Sequence, residues 1–184
     1  MAEDDRLLVV SARRGDRRAF GALFERYAAM VHGILLARVS PRHVDDLVQD
    51  VFVAALERVA SLQTAEAFGG WLATIARNRA IDFHRTKKPT AELDDDATPA
   101  SSGRDAGKRV EAERMLREIQ ALPDAYRETL VLRLVEGMSG PEIAARVGMT
   151  PESVRVNLHR GMKILRERLG ISARRGDDDE EETR

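Results

Sequence analysis

Residues 151–169, PESVRVNLHRGMKILRERL, hold the densest set of side chains able to do chemistry: Arg155, Arg160, Lys163, Arg166 and Arg168 against Glu152 and Glu167. Guanidinium and ammonium groups repeated along a helix attract a polyanion; they supply neither a nucleophile nor a general base. The preceding stretch, SGPEIAARVG, indicates how that helix is presented. Ile143, Ala144 and Val147 fall on one face of a short helix, and Gly148 stands at a turn that needs a positive φ. Thr150 then caps a second helix, Pro151 starts it, and Val154 and Leu158 return to the core. This is the spacing of a helix-turn-helix. Pro151, Glu152, Ser153, Arg155 and Val156 lie outward at the start of the second helix, where such side chains reach base edges in a major groove. His159 belongs to the same set, while Arg160 and Lys163 are better placed for phosphates, which set affinity without reading sequence.

A second basic stretch runs from Gly69 to Lys88, with Arg77, Arg79, Arg85, Lys87 and Lys88 against the single acid Asp82. The whole chain nevertheless carries a formal charge of only −1, because acid is concentrated elsewhere, in ELDDD at 92–96 and DDDEEE at 177–182. A polyanion feels the local field and not the average. Of the 184 residues 43% are hydrophobic, 33% charged and 4% aromatic, the profile of amphipathic helices with charged outer faces. There is no cysteine, so disulfides, thiol nucleophiles and thiolate-held zinc are excluded. The four histidines, His32, His43, His84 and His159, form no metal-spaced pair. No catalytic residue, cofactor or metal is therefore expected. The acidic start and the lack of a long apolar run predict a soluble, cytoplasmic chain without membrane insertion.

These side chains need an all-α scaffold. The periodicity predicts a short helix to about Arg14 and, after Gly15-Asp16, a long one burying Phe20, Leu23, Phe24, Tyr27, Val31, Ile34 and Leu35. Ser40-Pro41 reads as a cap and first turn for a helix burying Val44, Leu47, Val48, Val51, Phe52, Ala55 and Leu56. A third spans about Ala67 to Thr86, with Phe68, Trp71, Leu72, Ile75 and Ile81 inward and its start weakened by Gly69-Gly70. Residues 87–107, rich in Pro, Ser, Thr, Asp and Gly, read as a flexible linker able to reach about 70 Å. Four helices follow, near 108–121, 123–136, 140–147 and 151–169, and a disordered acidic tail from 172 to 184.

Four blocks, in order, resemble the extracytoplasmic-function group of bacterial RNA polymerase sigma factors. GDRRAFGALFERY and VDDLVQDVFVAAL resemble the opening of the family's second conserved region and its polymerase-binding helix. WLATIARNRAIDFHR resembles the segment that reads and opens the minus-ten promoter element. LPDAYRETLVLRLVEGMSGPEIAARVGMTPESVRVNLHRG resembles the fourth region, which reads the minus-thirty-five element. The resemblance implies two small helical domains, region 2 over 1–86 and region 4 over 108–171, joined by the 87–107 linker. It implies an initiation factor and not an enzyme. Asp46, Gln49 and Asp50 would dock the clamp helices of the largest polymerase subunit; their spacing does place them on one helix face. Arg77, Asn78, Arg79, Asp82 and Arg85 would engage the minus-ten element from the exposed side of the third helix, with a base pocket near Ala60 to Glu66 and Trp71 as scaffold. Pro151, Glu152, Ser153, Arg155, Val156, His159, Arg160 and Lys163 would engage the minus-thirty-five element. The beta flap and an anti-sigma protein, which can hold such a factor at the membrane, are further implied partners, and the free chain would be a monomer. Val156, Asn157 and Gly161 depart from the family's usual recognition helix, so the promoter sequence does not transfer from a relative. A stand-alone helix-turn-helix regulator is the competing reading, though it leaves the basic third helix unexplained.

Overall fold

The computed structural model describes residues 3–86 and 104–171, and among these every regular element is helical. Helix α1 (Glu3–Arg13) ends in a turn at Gly15, whose φ of +91° suits a residue without Cβ. Asp16 then caps α2 (Arg17–Leu36), its carboxylate accepting from the Arg18 and Ala19 amides at 2.9 and 3.2 Å. Pro41–His43 forms a 3-10 turn, and α3 (Val44–Arg58) begins only after it. Ser40, expected as an α-helical cap, makes no side-chain cap bond, because the tighter turn intervenes. Two further 3-10 turns, Val59–Ser61 and Ala65–Ala67, shape the segment before α4 (Phe68–Thr86).

The second half contains α5 (Arg104–Gln120), α6 (Asp124–Leu134), α7 (Gly140–Val147) and α8 (Pro151–Arg168). Helix α5 starts inside the stretch read as linker. The rest of that stretch, 87–103, and the acidic tail from 172 lie outside the described residues. No described helix is long and apolar enough to cross a membrane.

Helix α2 is the central strut. Leu23, Met30, Val31, Ile34 and Leu35 are all 0% exposed, and α1, α3, α4, α6 and α7 pack around it. The core is continuous from Val9 in α1 to Leu165 in α8, so the two halves share one apolar interior. Three residues expected inside are exposed: Phe24 (39%), Leu56 (44%) and Ile81 (62%). Phe24 still packs on Phe52, with ring centroids 4.6 Å apart. Leu56 and Ile81 stand about 100° round their helices from Ala55 and Ala80, which take the contact positions instead. On α4 the small residues Gly69, Ala73, Ala76 and Ala80 form much of the buried face, a role that hydrophobic weight alone does not reveal. Trp71 is partly buried against the core, as its spacing predicts.

Candidate nucleic-acid interface

The recognition unit is built by its ends. Ser139 caps α7 in a reciprocal box: its hydroxyl accepts from the Glu142 amide while the Glu142 carboxylate accepts from the Ser139 amide at 2.8 Å. The Ser-x-x-Glu spacing of residues 139–142 is the sequence signature of that box. Gly148 ends α7 at φ +72°, the left-handed conformation expected for the turn. Thr150 caps α8, its hydroxyl accepting from the Ser153 amide at 3.1 Å, and Pro151 takes the first helical position.

At about 100° per residue, Val154, Leu158, Gly161 and Leu165 form the inner face of α8. Val154, Gly161 and Leu165 are buried and Leu158 is partly buried. Gly161 permits close contact with α6: a Cβ there would lie 3.0 Å from Leu130 Cδ1 and 3.1 Å from Tyr126 Cβ. Pro151, Glu152, Ser153, Arg155, His159, Arg160 and Lys163 are exposed on the opposite side, and Val156 is half-buried at its margin. Arg155 donates to Glu152 at 2.7 Å, and that bond raises the arginine's pKa and lowers the carboxyl's. The start of α8 thus presents a donor fork and an acceptor together, the pair of functions that base edges require.

The residues expected on α4 and α3 divide differently. Asp46, Gln49 and Asp50 are exposed on one side of α3. Asp50 accepts from Arg79 Nη2 and Nε at 2.5 and 3.2 Å. Asp46, Leu47, Asp50, Arg79, Asp82 and Phe83 line one groove between α3 and α4. The expected polymerase-docking face and the expected minus-ten face therefore meet along one seam. Asn78, Asp82 and Arg85 share the outer side of α4, with Arg85 paired to Asp82 at 2.9 Å.

Arg77 is not on that open side. It is half-buried and donates through Nε and Nη2 to Glu128 of α6 at 3.0 and 2.6 Å, since residue 77 falls on the flank of α4 that meets the second half. Arg38 donates to the same carboxylate at 2.6 Å. Burial pushes the Glu128 carboxyl up, but hydrogen bonds and charge from Arg77 and Arg38 outweigh it and hold the group below its ordinary value. The Glu128 bond also raises Arg77. Sequence reasoning missed Glu128 and Arg38; the one available hint was an acid inside the apolar run ETLVLRLV.

Other polar contacts join the halves. Gln120 Nε2 donates to the Leu36 and Val39 carbonyls at 2.7 and 3.1 Å. His32 Nδ1 and Glu136 Oε1 are 2.6 Å apart, and this bond raises the imidazole's pKa despite partial burial. Arg146 of α7 donates to the Arg26 carbonyl and lies 5.6 Å over the Tyr27 ring. Gly33, Gly69 and Gly70 let the backbones approach: a Cβ on Gly33 would meet Leu132 Cδ2 and Glu136 Cγ, each at 2.8 Å.

Comparison with known proteins gives a consistent picture. The family model described as Sigma-70 region 2 matches residues 23–90, and that described as Sigma-70, region 4 matches residues 112–165. The RNA polymerase sigma factor CarQ of Myxococcus xanthus is 36% identical over 162 residues, covering 86% of this chain and 93% of that protein. The RNA polymerase sigma factor CnrH of Cupriavidus metallidurans is 30% identical over 183 residues, covering 88% of this chain and 92% of its own length. A solved structure of CnrH in complex with the cytosolic domain of CnrY superposes with a TM-score of 0.64 at 28% identity, covering 93% of this chain and 100% of that one. The sigma factor RpoE from Bartonella quintana, solved with the anti-sigma factor NepR, shares the fold with a TM-score of 0.55 at 20% identity, over 83% and 98% of the two chains.

Proposed function

The chain belongs to the extracytoplasmic-function group of the sigma-70 family, the promoter-directing initiation factors of bacterial RNA polymerase, and on that premise we propose how its surfaces divide the work. Residues 1–86 act as region 2 and residues 108–171 as region 4, with 87–107 as the connection. The exposed α3 face of Asp46, Gln49 and Asp50 docks on the clamp helices, and region 4 engages the beta flap. Helix α4 captures the minus-ten element through Asn78, Arg79, Asp82 and Arg85, joined by Arg77 once it is free of Glu128. Opening the duplex there costs a few kcal/mol per extruded base, which positive side chains on the backbone offset. The outer face of α8 reads the minus-thirty-five element: Glu152, Arg155 and Val156 toward base edges, Arg160 and Lys163 toward phosphates.

The factor performs no catalysis of its own and works in the cytoplasm, as a monomer until it meets polymerase. An anti-sigma protein holds it inactive, a reading in keeping with CnrH, solved in complex with the cytosolic domain of CnrY. One observation carries the whole assignment. The doubly capped helix-turn-helix presents a basic outer helix, and it follows a region 2 match in the same chain.

The test is run-off transcription with core RNA polymerase lacking any sigma factor, across a promoter library. Specific initiation is expected, abolished by Asp50→Arg and by Arg155→Glu. Sequence-specific DNA binding without any association with core polymerase would replace this reading by a stand-alone regulator.

A further inference from the structure

Glu128 belongs to the second half of the chain, is 5% exposed, and meets two guanidinium groups from different helices of the first. Arg77 comes from the middle of α4 and Arg38 from the residue after the Ala37 cap of α2. Arg38 is also fixed without Glu128. Its Nη1 donates to the Ile34 carbonyl at 2.9 Å, and its own carbonyl is 2.9 Å from His84 Nε2. If α6 moves away, two neighbouring cations lose their shared anion. Two like charges exposed side by side then repel one another and attract a new anion.

A backbone phosphate is the anion a promoter offers, and guanidinium forks bind its oxygens with the same donor geometry as a carboxylate. Arg77 already lies on the promoter helix, and Arg38 adds a second donor group beside it. We propose that Arg38 and Arg77 form a two-guanidinium site for a promoter backbone phosphate, which Glu128 fills when the two halves close on each other. The proposal rests on the reading of α4 as the minus-ten helix. Closure and promoter engagement then exclude one another, and the free chain restrains itself without any second protein.

Opening has to part the shared apolar interior, while Gln120, His32 with Glu136, and Arg146 join the halves by polar contacts that water can replace. A buried ion pair adds little beyond its own desolvation cost, so Glu128 sets the geometry of closure while leaving it reversible.

Arg38→Ala and Glu128→Gln both break this ion pair, and the proposal requires opposite effects. The assay measures, with core polymerase present, the concentration of full-length chain that half-saturates a fluorescent promoter duplex over a series of salt concentrations. Glu128→Gln should lower that concentration on the order of tenfold, because less of the chain is held closed. Arg38→Ala should raise it several-fold and make the log-log salt slope shallower by about one, the signature of one lost phosphate contact. Arg38→Lys, which retains the charge, should keep the wild-type slope. Effects of the same sign for Arg38→Ala and Glu128→Gln would mark a purely structural pair and overturn the proposal. An unchanged slope for Arg38→Ala, in a variant whose thermal melt is normal, would overturn it too. A wild-type chain that fails to bring polymerase to any promoter would remove the reading of α4 along with it.

Discussion

Gly69→Ala sets two physical effects against each other. In an open helix the change should stabilise, since Ala is favoured over Gly by about 1 kcal/mol. Gly69, however, faces the end of α7: a Cβ there would lie 3.1 Å from the Arg146 carbonyl carbon and 3.3 Å from its Cα, with the carbonyl oxygen nearer still. Carbon contacts prefer about 3.5 to 4.0 Å, and these neighbours are backbone, so α4 and α7 must part by several tenths of an ångström or more. Such overpacking costs about 1 to 3 kcal/mol, which exceeds the helical gain. The closed arrangement should lose a net ~1 kcal/mol, about a fivefold shift toward separated halves. Gly21→Ala is the control, because nothing lies within 4 Å of a Cβ at that position of α2. It should raise the midpoint of urea unfolding without altering compactness. Energy transfer between dyes on the two halves, read beside the melts, separates the cases. If Gly69→Ala stays as compact as wild type and gains stability as Gly21→Ala does, the close approach of α4 and α7 is not what the glycine serves.

Thr150→Ala removes the acceptor for the Ser153 amide and should cost about 1 kcal/mol in unfolding, with faster exchange of that amide and weaker promoter binding. Lys163→Ala should weaken binding to all promoters alike and reduce the salt slope by about one, whereas Arg155→Ala should blur discrimination between minus-thirty-five sequences; quantitative binding to a sequence library distinguishes them. Closure should also depend on pH at both ends of the range. Glu128 has a folded pKa below its ordinary value, so its contribution is complete above about 4.3 and is lost as pH falls through the lowered value. Glu128→Gln should abolish that acid-side loss of energy transfer between the halves. His32 has a raised folded pKa, so its bond to Glu136 favours closure fully below about 6.5 and fades as pH rises through the raised value. His32 is more than one-third exposed, which makes this a small effect that His32→Gln should flatten.

The sequence by itself determined the helices and the recognition unit, because both depend on local rules. Apolar spacing, the Gly15-Asp16 break, the Thr150 cap, Pro151 and the glycine turn at 148 act over a few residues, and the helices and the turn appear where these put them, although Phe24, Leu56 and Ile81 fall outside the core. The polar face of Asp46, Gln49 and Asp50 was legible for the same reason: a helix fixes which of its own residues are neighbours. What lies across from a helix face is not a local property. Only the tertiary structure decided that Arg77 turns to Glu128, 51 residues away, and that Arg38 joins it from 90 residues away. It also decided that Gly69 and Gly70 serve close packing and do not merely weaken a helix end, and that alanines displace Ile81 from the contact face of α4. Contact across a packed interface depends on the rotation and approach of whole helices, and those follow from the combined fit of many side chains and cannot be read from the order of residues in one of them.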